Sequence, residues 1–444
     1  MDSPRQTAYE IIYDVLENNA YVNIALNKVL RNRKADAAER RFVSMLVYGT
    51  VSYKLTLDRI IERFSKRSVN SIDKKIRNVL RLGVFQLVFS KFIPAYSACN
   101  ETVDLAKRLS HPKVAGFVNG VMRSIARSEQ PLVLPDKAKE PVEYLSLKYS
   151  MSEKIIRKLI PVFGLEETEQ FCAACLERPD LYIRVNTLVT DPDTLLQSLI
   201  KQGFEAEKSA AEEAVLKLKS ASGLFDTPEF NRGAFVVMDE SASLPVKALD
   251  PKPGSVVFDC CAAPGGKTMA LSEMMQDTGR ILAMDIHKHK VDLMEETFRK
   301  AGRKNIECTV HDARVLIEDL KESADGVLLD VPCTGLGIIR RKPDIKWNYE
   351  DEPELLRLQK DILDTCCMYV KPGGALVYST CTVLPEENED RIKEFLKEHP
   401  NFELGEIRYE PGKITRYATG SFVNTYPHVH GTDGFFAAKL IRRV

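Results

Sequence analysis

The pattern of hydrophobic and polar positions divides the chain into a helical front, a mixed middle and an alternating back. From residue 5 to 128, apolar side chains recur every three or four positions, as at Ala8 and Ile11, which predicts amphipathic helices. Residues 129–141 contain three prolines and several charged residues, a composition typical of a linker. Residues 142–250 mix helical runs with short strand-like segments. A chain of 444 residues exceeds one ordinary core, so we expect two or three domains.

From residue 255 onward, short apolar strands alternate with amphipathic helices. This alternation predicts a parallel, doubly wound sheet, in which ligands bind beyond the carboxyl ends of the strands. The predicted strands are 255–259, 280–285, 306–312, 326–332 and 375–380, and the predicted helices are 268–275, 291–301, 355–370 and 391–399.

Charge is distributed unevenly although the chain as a whole is neutral. Residues 1–130 contain 22 Lys and Arg against 12 Asp and Glu, a net charge of +10. The remainder must therefore carry −10, because the totals are 63 and 63. A basic front suggests a polyanionic partner, and helices with solvated cationic faces are the equally open alternative.

Composition narrows the class of protein. No stretch approaches the roughly 18 apolar residues that a membrane span needs, and the first residues lack a signal peptide, so we expect a cytoplasmic protein without a membrane partner. Ten cysteines in such a chain are expected as thiols. Cys172 and Cys175 form a CxxC pair without a second pair at zinc-site spacing. We therefore interpret them as small apolar helix residues and expect no metal.

The first predicted strand of the back ends at Asp259 and runs into a turn of small residues, CCAAPGGKT. Such a turn lets a ligand approach the backbone N–H groups. Cys261 stands where a phosphate-binding loop needs its first glycine, and the G-x-G-x-x-G fingerprint is absent, so neither nucleotide motif fits. Asp285 ends the second strand and can accept hydrogen bonds from ribose hydroxyls. Asp312 ends the third and is placed to accept from an adenine amino group.

Two thiols stand at the ends of the next strands, Cys333 after Asp330 and Cys381 after Thr380. Either thiol alone would be read as structural, but two at adjacent strand ends favour a site. Cytosine gives a reason for the pair: carbon 5 becomes nucleophilic only after a thiolate adds to carbon 6, and a base must then remove the carbon 5 proton so that the thiolate can leave. Asp330, if protonated, could hydrogen-bond to the cytosine edge. The base must leave its stack to reach such a site.

At these residues the sequence resembles the NOL1/NOP2/Sun family of RNA cytosine-carbon-5 methyltransferases over essentially its whole length. The motifs that carry the resemblance are CAAPGGKT, DVPCTGLG, STCT followed by Glu386-Glu387-Asn388-Glu389, Arg184-Val185-Asn186-Thr187, Met238-Asp239-Glu240-Ser241 and Asp433-Gly434-Phe435-Phe436.

The resemblance implies a multidomain fold. It comprises an all-α NusB-like RNA-binding domain (1–130), a small α+β domain (141–240) and an α/β Rossmann-like S-adenosylmethionine-dependent methyltransferase domain (241–444). The segment from Gly337 to Trp347 resembles the bacterial RsmB branch, which implies 16S ribosomal RNA as the partner, with tRNA or another RNA as the alternative. A monomer is expected. A non-catalytic NusB-like RNA-binding or antitermination factor, or a P-loop enzyme, are rival hypotheses.

Residue roles also follow from the resemblance. Cys381 is implied as the nucleophile, Cys333 as the thiol that assists release, and Asp330 as a catalytic and donor-binding acid. We further expect Arg340-Arg341-Lys342 to contact phosphates, and Trp347 either to stack on a displaced base or to belong to the core. The implied S-adenosylmethionine contacts are Cys261, Ala262, Ala263, Pro264, Gly265, Gly266, Lys267, Asp285, Asp312 and Asp330.

Overall fold

The computed structural model describes residues 3–33, 35–209, 212–350, 353–407 and 418–444. The chain divides into two units, which are described separately below. A helical unit comprises Met1–Glu177 and Ile339–Glu350, and a sheet unit comprises Arg178–Ile338 and Asp351–Val444. No helix among the described residues is long and apolar enough to cross a membrane.

Amphipathic helices form the front of the helical unit, as the apolar spacing predicts. Ser3, Asp36 and Asp73 cap three of them by accepting hydrogen bonds from backbone N–H groups of the first turn. Their apolar faces meet in one core that includes Ile11 and Leu46. The helices are Pro4–Glu17, Val22–Asn32, Ala37–Ser52, Lys54–Ser65, Lys74–Val84, Ala95–Leu109 and Pro112–Ala126.

Two further helices, Pro141–Tyr149 and Glu153–Ala174, complete the continuous part of this unit. Cys172 lies in the second of these helices and Cys175 directly follows it, and both are buried. Burial raises the pKa of Cys172 to about 12, so the thiol stays neutral. Both cysteines behave as the small apolar residues that the sequence predicts.

The segment Ile339–Glu350 returns to the helical unit and contains the short helix Ile345–Asn348. Lys346 is 1% exposed and donates to Ser52 O at 2.6 Å. The Trp347 indole N–H donates to Val51 O at 2.8 Å, and its ring packs on the helical core. The base-stacking role considered for Trp347 is therefore wrong and the core alternative is confirmed. Arg340 is also buried, which contradicts its expected contact with phosphate.

A small antiparallel sheet opens the sheet unit. Its strands are β1 (Leu181–Val185), β2 (Ala206–Lys208), β3 (Val215–Leu218) and β4 (Phe235–Val237), in the order β2-β3-β1-β4. Helices Pro192–Lys201 and Pro228–Asn231 accompany it, and buried apolar residues such as Ile183 and Leu195 form its core.

A nine-stranded sheet follows. Its strands are β5 (Val256–Asp259), β6 (Arg280–Asp285), β7 (Ile306–Val310), β8 (Ala324–Asp330), β9 (Val370–Thr380), β10 (Phe402–Leu404), β11 (Ala418–Thr419), β12 (Phe422–Thr425) and β13 (Phe435–Arg442). They lie in the order β11-β12-β13-β9-β8-β5-β6-β7, with β10 paired to β13. Strands β7, β6, β5, β8 and β9 are parallel, as predicted, and β6 has the predicted bounds. The remaining strands pair antiparallel, so the expectation of a parallel sheet is wrong at one edge.

Buried clusters represented by Phe258 and Val257, consecutive residues of β5, cover the two faces of this sheet. Parallel strands covered on both faces bring several strand ends to one edge, where the candidate site lies. The helices of this part are Leu244–Leu249, Gly266–Met274, Lys288–Lys300, Pro353–Cys366, Glu389–Glu398 and Pro427–His430.

Candidate functional site

The turn between β5 and the helix Gly266–Met274 lies at the carboxyl end of the sheet. Gly265 has a φ of +99°, and a Cβ added there would lie 2.8 Å from Phe298 Cζ, so this position requires glycine. The Ala262 N–H donates to Met284 O at 2.8 Å and ties the turn to β6. The predicted donor-binding residues Cys261, Ala262, Ala263, Pro264, Gly265, Gly266 and Lys267 all lie in this turn or at the start of its helix.

Asp259, directly before the turn, is a candidate to which the sequence analysis assigned no role. Its side chain is 1% exposed, and its Oδ2 accepts from Thr268 Oγ1 at 2.7 Å. Its Oδ1 makes no well-formed hydrogen bond with the described residues. Burial raises the pKa of Asp259 to about 7. A hydrogen bond from the Cys261 backbone and the charge of Lys267 oppose this shift, so groups of the turn itself hold the carboxyl. Its position immediately before a glycine turn was the available signal.

The two other strand-end acids lie along the same edge. Asp285 ends β6, accepts from the His287 N–H at 2.9 Å and has a side chain that is 11% exposed. Asp312 lies two residues after β7 and accepts from Arg314 Nε at 3.0 Å and Nη2 at 2.6 Å. These hydrogen bonds lower the pKa of Asp312. A ligand that contacts Asp312 must therefore share its oxygens with a guanidinium.

Asp330 ends β8 and is held by two donors. Lys267 Nζ lies 2.7 Å from its Oδ2, and Ser379 Oγ donates to its Oδ1 at 3.0 Å. The Lys267 ammonium also lies 4.9 Å from the centre of the Phe435 ring. Both Asp330 oxygens therefore have a partner within the protein, and a base that contacts Asp330 must share them with Lys267 or Ser379. The role expected for Asp330 stays a prediction.

The two predicted thiols meet at the ends of β8 and β9. Cys333 Sγ and Cys381 Sγ are 3.2 Å apart, and the Cys381 N–H donates to Cys333 Sγ at 3.2 Å. Both side chains are partly exposed. The hydrogen bond with Cys381, followed by burial, raises the pKa of Cys333 well above its usual value. Cys333 is therefore a neutral thiol whose proton is within reach of the other sulfur.

Two buried polar residues beside the thiols, Glu387 and Asn388, also lie at this edge. Sequence reasoning included them in a motif but gave them no role. The only available signal was their position six and seven residues after Cys381.

Comparison with known proteins decides the family. The model of the 16S rRNA methyltransferase RsmB/F family matches residues 246–441. The model of the NusB family matches residues 2–127, and that of the Methyltr_RsmF/B-like, ferredoxin-like domain matches residues 152–224. The probable ribosomal RNA small subunit methyltransferase B of Bacillus subtilis is 36% identical over 99% of both chains. The chain belongs to the ribosomal RNA small subunit methyltransferase B family.

Other members and solved structures agree with this assignment. The ribosomal RNA small subunit methyltransferase B of Escherichia coli O127:H6 is 30% identical over 99% of this chain and 98% of its own. The crystal structure of PH0851 matches with a TM-score of 0.83 and 29% identity over 99% of each chain. A methyltransferase homolog protein from Pyrococcus horikoshii matches with a TM-score of 0.58 and 31% identity over 68% of this chain and 99% of its own.

The predicted fold class is confirmed by these matches. The NusB-like front and the methyltransferase back are present, and the small α+β part is a ferredoxin-like domain. Methyltransferase B family members are methyltransferases, so a methyl donor is implied. The roles of individual residues, the donor contacts and the boundaries 1–130, 141–240 and 241–444 stay predictions.

Proposed function

We propose that this protein transfers a methyl group from S-adenosylmethionine to carbon 5 of a cytosine in 16S ribosomal RNA. The proposed route is a covalent bond between Cys381 Sγ and carbon 6 of the base. The 3.2 Å contact between Cys333 and Cys381 carries the proposal, because a single attacking thiol would not require a second one against it. The substrate class is supported by the names of the relatives, ribosomal RNA small subunit methyltransferase B.

The turn and the strand-end acids fit the donor. Gly265 gives the turn a backbone conformation that favours glycine and lets it pack closely against Phe298, which fixes the shape of the turn at the carboxyl end of the sheet. Residues 261–267 would hold the donor together with Asp285 and Asp312. When bound, the donor supplies an electrophilic methyl group.

Protein groups then account for the remaining steps. Cys381 gives its proton to solvent and adds to carbon 6, which makes carbon 5 nucleophilic toward the methyl group. Carbon 5 afterwards gives its proton to a base, the double bond between carbons 5 and 6 re-forms, and the bond to Cys381 breaks. Cys333 is the neutral thiol in contact with the departing sulfur, and it can hand its proton to Cys381 and then take up another from solvent. The Lys267–Asp330 pair lies at the end of β8, three residues before Cys333.

Transfer of labelled methyl groups tests the reaction and its substrate. Label from methyl-labelled S-adenosylmethionine should appear in 5-methylcytidine at one position after digestion of unmodified 16S RNA. Label in tRNA alone would overturn the ribosomal assignment, and label in another nucleoside would overturn carbon 5 as the target. No transfer from folded protein that binds the donor would contradict the proposed reaction.

Two cysteine variants test the assignment of the thiols. Cys381→Ala should form no protein–RNA adduct that survives denaturation, because the attacking sulfur is gone. Cys333→Ala should form the adduct and retain it, because release is impaired. Cys308→Ala changes a thiol on β7 away from the Cys333–Cys381 pair and serves as the matched control, with normal turnover. Adduct formation by Cys381→Ala but not by Cys333→Ala would reverse the two roles.

A further inference from the structure

Glu387 is buried beside the loop that carries Cys333, at 1% exposure. Its Oε2 accepts from the Thr334 N–H at 3.0 Å and from Gln359 Nε2 at 2.8 Å. Its Oε1 accepts from Thr334 Oγ1 at 2.5 Å. Gln359 also donates to Pro332 O at 2.9 Å. Glu387 and its partner Gln359 therefore fix the residues on both sides of Cys333.

Asn388, the next residue along the chain, holds the other thiol loop in the same way. Its Oδ1 accepts from Thr380 Oγ1 at 2.6 Å, and its Nδ2 donates to Thr382 O at 3.2 Å. These partners are the residues immediately before and after Cys381. Asn388 is 2% exposed, so these hydrogen bonds do not compete with bulk water.

The two loops are also joined to one another. Thr334 Oγ1 and Thr382 Oγ1 are 2.7 Å apart, which links the residue after Cys333 to the residue after Cys381. The hydroxyl of Tyr378, a fully buried side chain of β9, donates to Glu387 O at 2.8 Å and fixes the backbone from which both side chains project. One dipeptide thus contacts both loops.

We propose that Glu387 and Asn388 are positioning residues, Glu387 for the Cys333 loop and Asn388 for the Cys381 loop, which hold the two sulfurs in contact. The proposal rests on the proposed function for the roles of the two thiols. A buried carboxylate costs stability unless its oxygens are used, and the hydrogen bonds of Glu387 are directed at Thr334 and Gln359. Its negative charge also helps to raise the pKa of Cys333, after the hydrogen bond with Cys381 and burial.

The first test measures the formation and the release of the protein–RNA adduct separately, from the amount of adduct over time in single-turnover reactions. Glu387→Ala should accumulate adduct as Cys333→Ala does, with release slower by on the order of tenfold to a hundredfold, because small misplacements of reacting groups have effects of this size. Asn388→Ala should instead form adduct more slowly by a similar factor. Asp390→Ala, in the helix that begins directly after Asn388, removes an exposed pair with Lys393 and should behave as wild type.

Rescue by a conservative variant distinguishes positioning from general destabilisation. In Glu387→Gln the amide oxygen can accept from the Thr334 N–H and Gln359, and the amide nitrogen can donate to Thr334 Oγ1. Release should therefore return to within a few-fold of wild type. Normal release in Glu387→Ala would overturn the proposal. Equal loss of both steps in Glu387→Ala and Asn388→Ala, in parallel with a lower unfolding midpoint, would overturn it too.

A second measurement does not depend on RNA. A diazenedicarboxamide oxidant can join Cys333 and Cys381 in a disulfide: the S–S bond forms, and two electrons and two protons pass to the oxidant. Mass spectrometry of the disulfide-linked peptides should show formation about tenfold slower in Glu387→Ala and Asn388→Ala than in Asp390→Ala, by the same geometric argument. Equal rates would overturn the positioning role. If wild type forms no RNA adduct while this difference holds, the proposed function fails and the positioning role stands.

Discussion

Replacing Arg184 by methionine should destabilise the sheet unit, because it removes a buried charge shared by two acids. Arg184 lies on β1 and is 5% exposed. Its Nε lies 3.3 Å from Glu273 Oε2 and its Nη1 lies 3.6 Å from Glu212 Oε1. Glu212 retains Lys247, whose Nζ lies 2.7 Å away, whereas Glu273 loses its ion-pair partner among the described residues. Arg184 thus connects the ferredoxin-like sheet to the helix Gly266–Met274, which follows the turn after β5.

The size of the effect follows from burial. Removing one partner of a buried pair costs about 3–5 kcal/mol when the remaining charge is uncompensated, and this range is an upper bound here because Arg303 still attracts Glu273. Burial already raises the pKa of Glu273, although Arg184 and Arg303 oppose the shift. Without Arg184, the pKa of Glu273 must rise further above its unfolded value. The loss of unfolding free energy in the variant should therefore be largest near pH 8, and it should become smaller toward pH 5, where Glu273 takes up a proton in the folded variant.

Hydrogen–deuterium exchange provides the assay, because it reports each segment separately. The protection factors of amides in Leu181–Val185 and Gly266–Met274 should fall by roughly two to four orders of magnitude at pH 8, because each factor of ten corresponds to about 1.4 kcal/mol of lost stability. Arg280→Met removes an exposed pair with Glu307 and should change stability by about 0–1 kcal/mol. The only tryptophan, Trp347, lies in the helical unit, so its fluorescence transition should not move. A loss no larger than that of Arg280→Met, or one independent of pH, would refute the reasoning.

Two other substitutions test the donor turn and the buried lysine. Gly265→Ala should weaken S-adenosylmethionine binding at least tenfold, because the new Cβ would lie 2.8 Å from Phe298 Cζ at a φ that favours glycine. Titration calorimetry measures this affinity, and an unchanged affinity would contradict the role of the turn. Burial lowers the pKa of Lys346 to about 8, so a buried charge opposes folding below that pH and the penalty disappears as pH rises toward the unfolded value. The free energy of unfolding of the helical unit, followed by Trp347 fluorescence, should therefore rise by up to about 3 kcal/mol between pH 8 and 10.5. Lys346→Met should lack this rise. The same pH dependence in both proteins would refute the assignment.

Local periodicity explains why much of the sheet unit was predictable. Strand β6 was predicted with its observed bounds because Arg280–Asp285 is an apolar run between a turn and an amphipathic helix. The strand-end rule then brought Asp285, Asp330 and Cys381 to one edge without any knowledge of distances. The same rule cannot show that Asp330 is paired with Lys267, since that contact joins residues 63 positions apart.

Long-range packing accounts for what was missed. Arg340 lies in a charged segment without a clear period, which predicts a contact with phosphate, whereas the core alternative for Trp347 is confirmed. The segment instead packs in the helical unit, where Trp347 finds a backbone acceptor in Val51. Hydrogen bonds of Glu387 and Asn388 with both thiol loops are equally invisible to a reading that considers neighbours along the chain.

The antiparallel edge that the sequence reading missed also completes the candidate site. Strand β13 pairs with β9, and its first residue, Phe435, lies under the Lys267 ammonium. The preceding Gly434 donates from its N–H to Gly337 O at 2.8 Å, and a Cβ added at Gly337 would lie 2.1 Å from Gly434 O. Gly337 in turn donates to Cys381 O at 3.0 Å. The terminal Asp-Gly-Phe-Phe motif therefore supports the Cys381 loop through backbone contacts that only two glycines permit.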